Sequence, residues 1–168
     1  MRENDGHRFG RLPATDADRE VADRPSREAV VAFWRDRYGI PEDTWADYTF
    51  WERGSGKIWA FRGEVPSPAR IQGLGMAVLR TDGEHWKPTT NAAQRFGGLA
   101  TDCVIHLDEA EAKAFLAGHD RTIERWDGDW GYLVATHDIG GAPEPIGVGL
   151  YLHDELRSQI PKGTRRDL

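Results

Sequence analysis

Cysteine is nearly absent from this chain of 168 residues: Cys103 is the single example, so no internal disulfide forms. The six histidines are scattered, and neither a Cys-x-x-Cys nor a His-x-x-x-His spacing gathers ligands for a metal ion. We therefore expect no metal, no cofactor and a reducing compartment, the cytoplasm. Because apolar residues follow Cys103 and no cation stands beside it, we interpret it as a small buried core residue and not as a nucleophile.

Long apolar runs are also missing. No stretch approaches the roughly 20 apolar residues that a membrane-spanning helix requires, which favours a soluble protein. The first 25 residues contain no apolar core of a signal peptide and mix both charges, so we predict that residues 1–25 form a disordered tail. The remaining length suits one domain of ordinary size with a small appendage.

Signatures of catalysis are equally scarce. The Gly73–Gly75 motif precedes a predicted strand instead of a helix, so it is no dinucleotide-binding loop. Asp108, Glu109 and Glu111 form the densest set of carboxylates, but they occupy the predicted first turn of a helix, where they complement the helix dipole. We expect no catalytic residues and no enzyme activity.

Charge is distributed unevenly along a chain whose formal net charge is −6. Residues 101–150 carry seven more acidic than basic residues, whereas residues 50–100 carry three more basic than acidic residues. The basic stretch contains "EHWKPTTNAAQRFG" (84–97), which combines an aromatic ring, two cations and several short polar side chains. On charge alone, chance variation on a solvated surface is the simpler interpretation.

Local patterns predict several short elements. Ser26 is a suitable N-cap for an amphipathic helix, and Asp108 with Glu111 indicates a capping box at the start of another helix. Aromatic-rich runs on either side of Gly54–Gly56 predict a β-hairpin. Short strands mixed with two or three small helices favour an α+β fold built on a curved, mixed sheet.

Glycines inside predicted strands, together with basic residues, indicate a groove that admits a sugar-phosphate chain. Glycine weakens a strand, and its usual benefit is close approach of a backbone or a ligand. Trp86 and Tyr151 offer rings on which bases can stack. An equally good interpretation is a set of glycines at barrel bends with solvated arginines around them, and the residues alone leave both open. The glycines in question are Gly73, Gly75, Gly147 and Gly149.

The order of several motifs resembles a known RNA-binding domain, the PUA-like domain at the C-terminal end of the NOL1/NOP2/Sun family of RNA cytosine-C5 methyltransferases. The resemblance runs from about Trp34 to Arg166. The motifs that carry it are "FWERGSGKIW" (50–59), "GLGMAVLR" (73–80), "KPTTNAAQRFG" (87–97), "PIGVGLY" (145–151) and "LRSQIPKGTRR" (156–166).

This resemblance implies a PUA-like mixed β pseudobarrel with short helices that binds structured rRNA or tRNA in RNA modification or ribosome assembly. It implies a helix and hairpin extension over residues 26–65 and a PUA-like RNA-binding domain over residues 66–168. Trp51, Trp59 and Leu150 fall at core positions. The residues expected to contact RNA are Arg53, Lys57, Arg70, Gly73, Gly75, Arg80, Trp86, Lys87, Pro88, Thr89, Thr90, Asn91, Arg95, Tyr151, Lys162, Gly163, Arg165 and Arg166.

The catalytic part of that family has no counterpart in this sequence, which contains no glycine-rich methyl-donor loop and no Pro-Cys or Thr-Cys motif. We therefore expect a stand-alone, non-catalytic RNA-binding protein, acting alone or with a separate RNA methyltransferase. The competing hypothesis is a protein-interaction adaptor in ribosome assembly, in which Trp34, Trp45 and the first helix dock a partner.

Overall fold

The structure, a computed structural model, describes residues 8–165. These residues form three α-helices, eleven strands and four short 3-10 turns. The helices are α1 (Arg27–Tyr38), α2 (Thr90–Phe96) and α3 (Glu109–Leu116). The strands are β1 (Arg8–Arg11), β2 (Tyr48–Arg53), β3 (Lys57–Arg62), β4 (Ala69–Arg70), β5 (Met76–Arg80), β6 (Lys87–Pro88), β7 (Val104–His106), β8 (Arg121–Thr122), β9 (Gly131–Ile139), β10 (Ala142–Leu152) and β11 (Glu155–Ser158).

The chain divides into two compact units, one up to Lys87 and one from Pro88 onward. The first contains six strands in the order β4-β1-β2-β3-β5-β6, which we call the N-terminal sheet. The second contains five strands in the order β7-β9-β10-β11-β8, with β7 parallel to β9 and the other pairs antiparallel. Residues 8–165 thus combine helices with two sheets and contain no closed barrel, which confirms the predicted α+β class. No helix in this range is long and apolar enough to cross a membrane.

Helix α1 begins and ends where its capping residues predict. The Ser26 hydroxyl accepts a hydrogen bond from the backbone N–H three residues further on, at 3.0 Å, and Gly39 ends the helix with a φ of +69°. Trp34 of this helix is buried, and its ring lies 5.8 Å from that of Trp45, which is also buried. Both indoles are core groups, so the idea that they form a docking surface for a partner protein is wrong.

The prediction of a disordered tail over residues 1–25 is wrong for its described part, residues 8–25. Strand β1 lies between β2 and β4 and pairs with both. Phe9 is fully buried and Leu12 is 5% exposed. Two buried apolar residues are enough to hold this segment in place, because β2 and β4 also satisfy the backbone hydrogen-bonding groups of β1. Composition does not reveal this non-local effect. The remainder of that prediction, residues 1–7, lies outside the described residues.

The predicted boundary between residues 65 and 66 is also wrong, because the structure divides the chain after Lys87. Strand β5 pairs with β3, so residues 66–87 complete the same sheet as the predicted helix and hairpin extension. Gly75 permits this pairing, since it has a φ of +70° and a Cβ there would collide with the carbonyl oxygen of Ala60. The segment predicted as one PUA-like domain, residues 66–168, therefore belongs to two units.

In the second unit, the predicted capping box forms at the start of α3. The Asp108 carboxylate accepts from the Glu111 N–H at 2.8 Å, and the Glu111 carboxylate accepts from the Asp108 N–H at 3.0 Å. Phe115 of the same helix lies over β10, where a Cβ on Gly147 or Gly149 would approach its ring to 3.0 or 3.2 Å. The side chains of Ile160 and Leu156 lie closer still, so these two strand glycines make room for core side chains and not for a ligand.

Candidate nucleic-acid interface

Three cations stand side by side on the N-terminal sheet. Arg53 at the end of β2 is paired with Lys57 at the start of β3, and Lys57 is paired with Arg80 at the end of β5. Directly paired residues of antiparallel strands project from the same face. We call Arg53, Lys57 and Arg80 the cationic row.

A tryptophan ring supports two members of the cationic row. The Arg53 guanidinium and the Lys57 ammonium each lie 5.5 Å from the centroid of the half-buried Trp59 ring. Arg53 also lies 5.8 Å from the Phe9 ring and donates a hydrogen bond from Nη1 to the carbonyl oxygen of Gln72 at 2.7 Å. These contacts orient Arg53 and Lys57 by cation–π attraction.

The positive charges of the cationic row are not balanced by neighbouring carboxylates in the described part of the chain. Within residues 8–165, none of its three members forms an ion pair. Lys87 in the neighbouring β6 is half-buried, and burial, followed by the positive charge of Arg80, lowers the pKa of its ammonium group. Because Arg80 repels the Lys87 ammonium group, Lys87 is a fourth cation within electrostatic range of the row.

The other predicted contacts of the first unit have different roles. Arg70 lies in β4, opposite Arg8, and is exposed. Gly73 is exposed, and a Cβ there would lie 3.9 Å from the Trp59 ring, so this glycine is not required by packing. Gly75, by contrast, is required by the pairing of β3 with β5, whatever else it contacts.

Trp86 stands apart from the cationic row. Its ring packs 5.4 Å from the ring of Phe33 in α1 and is half-buried. It lines a groove of about 610 Å³ that also contains Asp23 and Asp82, and that no member of the cationic row lines. The structure therefore places the predicted stacking residue among carboxylates.

The second unit contributes the start of α2. Pro88 is buried, and the Thr89 hydroxyl is already used as the helix cap, since it accepts from the Ala92 N–H at 3.0 Å. Asn91 and Arg95 are exposed and remain available for a ligand, with the Arg95 guanidinium 6.0 Å from the Phe96 ring. Thr90 is the first residue of the helix and is half-buried.

Tyr151 is a correction to the predicted site. It is fully buried, and its hydroxyl donates to the carbonyl oxygen of Ile123 at 2.6 Å. Burial, followed by the negative charges of Asp154 and Glu124, raises the pKa of this phenol. A ring held in the core in this way cannot stack on a base, because the alternation of β10 points it inward.

The C-terminal basic residues lie on and after a short turn, Lys162–Thr164. Lys162, Gly163 and Arg165 are exposed. The Arg165 Nε donates to the carbonyl oxygen of Ile160 at 3.1 Å, so this side chain is held against the turn. Arg166 lies outside the described residues.

Trp59 packs against the buried cluster of Phe9, Trp51 and Leu74, which agrees with its predicted core position, but its contacts with Arg53 and Lys57 were not predicted from the sequence. A signal for its role was present: Lys57 and Trp59 are two apart in a strand, so alternation places them on one face. Arg53 and Lys57 also flank the short hairpin turn at equal distances from its centre, which makes them a cross-strand pair.

No set of three or more His, Cys, Asp or Glu side chains within residues 8–165 is arranged to hold a metal ion. Cys103 is buried, as its sequence context predicts. The chemistry that the first unit offers is therefore that of fixed cations beside an aromatic ring.

Comparisons with known proteins give two similarities. Residues 1–75 match the Family of unknown function (DUF7122), which is less than half of the chain. A region of 114 residues is 25% identical to Ribosomal RNA small subunit methyltransferase F of Aeromonas salmonicida (strain A449). That match covers 66% of this chain and 23% of the relative, so the chain spans about a quarter of the length of the protein that it matches. The similarity is consistent with a Sun-related domain.

Proposed function

We propose that this chain binds structured RNA, ribosomal RNA above all, and that the cationic row contacts its phosphates. The distant similarity to a ribosomal RNA methyltransferase supports a role connected with ribosomal RNA. In this proposal the chain does not catalyse methyl transfer; it holds RNA, alone or for a separate modifying enzyme or assembly factor.

The observation that carries the proposal is the pairing of Arg53 with Lys57 and of Lys57 with Arg80. Like charges directly opposite one another in a sheet destabilise it. The chain is acidic as a whole, yet it places these three cations in one line, and no carboxylate within residues 8–165 is paired to them. We expect such a row to bind an anion. Successive phosphates of a nucleic acid supply the matching charges.

The surroundings of Trp59 and Trp86 favour contacts with the RNA backbone over contacts with bases. Trp59 is covered by Arg53 and Lys57, and Trp86 faces carboxylates. Base stacking on an aromatic platform is the usual means of binding unpaired strands. We therefore expect preference for folded RNA, whose shape presents phosphates in a fixed arrangement.

Charge reversal with a matched control tests the proposal. Lys57→Glu with Arg80→Glu should weaken binding of a ribosomal RNA fragment at least tenfold in anisotropy titrations. The control, Lys113→Glu with Arg121→Glu, changes the formal charge equally but alters two exposed residues of the second unit. Thermal unfolding of both variants verifies that they fold. Equal losses in the two variants would show that net charge governs binding, and unchanged affinity in the first would refute the proposed surface.

A separate measurement tests the absence of catalysis. Calorimetry of the purified chain with the methyl donor S-adenosylmethionine should give no heat of binding, because no glycine-rich loop is present to hold it. A micromolar dissociation constant would contradict this part of the proposal.

A further inference from the structure

The groove beside Trp86 is a feature of the first unit that RNA binding does not explain. It lies within the first unit and has a volume of about 610 Å³, within the range of small-ligand sites. The lining includes Trp86, whose ring packs against the ring of Phe33. The charged residues of the lining are Asp16, Arg19, Asp23 and Asp82.

The charges of the groove do not cancel. Arg19 is paired with Asp16 at 3.0 Å, so these two neutralise each other. Asp23 and Asp82 are exposed and form no ion pair within residues 8–165. The groove therefore has a local charge of about −2, which repels phosphate and attracts a cation.

The wall that carries Asp82 is fixed in place. The Thr81 N–H donates to the carbonyl oxygen of Gly56 at 2.8 Å, which ties this segment to the turn between β2 and β3. Gly56 has a φ of +83°, and a Cβ there would collide with Asp82. The backbone at Asp82 and the indole of Trp86 are thus both held by neighbouring residues, so the groove needs little reorganisation to accept a ligand.

We propose that this groove binds an organic cation, a guanidinium or alkylammonium group, which lies against the Trp86 ring and is neutralised by Asp23 and Asp82. Tryptophan is the best aromatic partner for such a group. A hydrated metal ion lacks the apolar surface that would use the ring, so the combination favours an organic cation. An arginine side chain of a basic protein and a free polyamine share this chemistry.

Titrations followed by NMR at the Trp86 indole N–H test the inference, with the resonance assigned from a Trp86→Phe sample. N-acetyl-arginine amide, spermidine and magnesium chloride are the three probes. We expect at least one organic cation to shift this resonance saturably, and magnesium to leave it nearly unchanged. A response to the arginine derivative points to a protein segment, and a response to spermidine alone points to a polyamine.

Two isosteric variants make the result specific. Asp23→Asn with Asp82→Asn should weaken binding at least tenfold, and asparagine suits the left-handed backbone at position 23, where φ is +64°. Asp127→Asn with Asp129→Asn removes the same charge from exposed positions of the second unit and should leave binding unchanged. No saturable shift with either organic probe, an equal shift with magnesium, or equal losses in both variants would overturn the inference.

Discussion

At the scale of single residues, Lys57 is the position where stability and binding are expected to oppose each other. It stands between Arg53 and Arg80, so Lys57→Glu replaces two repulsive cross-strand pairs by two attractive ones. Each such pair is worth about 0.2–1 kcal/mol, while the lost contact with Trp59 costs a similar amount. We expect the free energy of unfolding in urea to stay equal or rise, while RNA affinity falls.

Charge reversal at Lys113 should have the opposite effects on stability and on RNA binding. Lys113 pairs with Glu109 one helical turn away at 3.3 Å, so Lys113→Glu should lower the free energy of unfolding slightly and leave RNA affinity unchanged. A loss of more than about 1 kcal/mol in Lys57→Glu would mean that the cationic row is structural and not a strained ligand surface.

Gly75 and Gly73 distinguish a glycine that packing requires from one that packing does not require. Gly75→Ala should destabilise the first unit by about 2 kcal/mol or more, because its φ is +70° and a Cβ meets the Ala60 carbonyl. Gly73→Ala has only the Trp59 ring at 3.9 Å as a neighbour and should cost little. Chemical denaturation of the two variants checks this, and equal losses would contradict the distinction.

Single residues also show what the sequence could and could not reveal about the site. The pairing of Arg53 with Lys57 follows from a two-strand hairpin with a short turn, which is a local pattern. The burial of Tyr151 and the acidic surroundings of Trp86 depend on which strand or helix packs against them. The position of Trp86 in a basic stretch of sequence does not reveal which side chains surround its ring in the fold.

At the scale of elements, helix α3 is joined to the segment after β8 by a charged pair. Arg125 donates two hydrogen bonds to the Glu111 carboxylate, at 2.6 and 2.8 Å. Burial opposes ionisation of Glu111, but the hydrogen bonds from Arg125 and from the Asp108 N–H, with the charge of Arg125, outweigh it and lower the pKa of this carboxyl.

A lowered pKa in the folded state gives a definite pH dependence. The stability from Glu111 is present above its unfolded pKa of about 4.3 and is lost as pH falls through the lower folded value. Melting temperatures measured from pH 6 to pH 3 should fall more steeply for the natural chain than for Glu111→Gln. Parallel curves of melting temperature against pH would show that the Glu111–Arg125 pair does not contribute to the pH dependence of stability.

Strand β1 yields a second prediction at this scale. Deleting residues 1–12 removes Phe9 and Leu12 from the core and leaves β2 and β4 without their shared partner, so the first unit should lose its cooperative unfolding transition. Deleting residues 1–7 should keep that transition. Limited proteolysis and circular dichroism compare the two, and an intact transition without residues 1–12 would contradict the packing of β1.

The elements differ in how far their own residues predict them. Helices α1 and α3 are delimited by Ser26, Asp108 and Glu111, whose hydrogen bonds reach only three residues along the chain. Strand β1 and the boundary after Lys87 depend on pairing with strands tens of residues away. The high charge content of residues 1–25 led to a prediction of disorder, because composition does not show that β2 and β4 pair with β1.

At the scale of the whole molecule, a formal charge of −6 limits how RNA can be bound. Each neutralised phosphate contributes roughly −0.7 to −0.9 to the slope of log affinity against log salt, so three row cations predict a slope of about −2 to −3. Lys57→Glu with Arg80→Glu should make the slope shallower by about two. Anisotropy titrations at several salt concentrations measure it, and a slope steeper than about −5 would require cations beyond the row.

The position of β1 in the N-terminal sheet also determines the order of events during translation. Among the strands of residues 8–165 it is synthesised first, yet its neighbours β2 and β4 begin only at Tyr48 and Ala69. At roughly 5–20 residues per second, the nascent chain carries β1 unpaired for several seconds. Helix α1 can form in that interval, but closing the long loop back to β1 sets the earliest moment at which the first unit can fold.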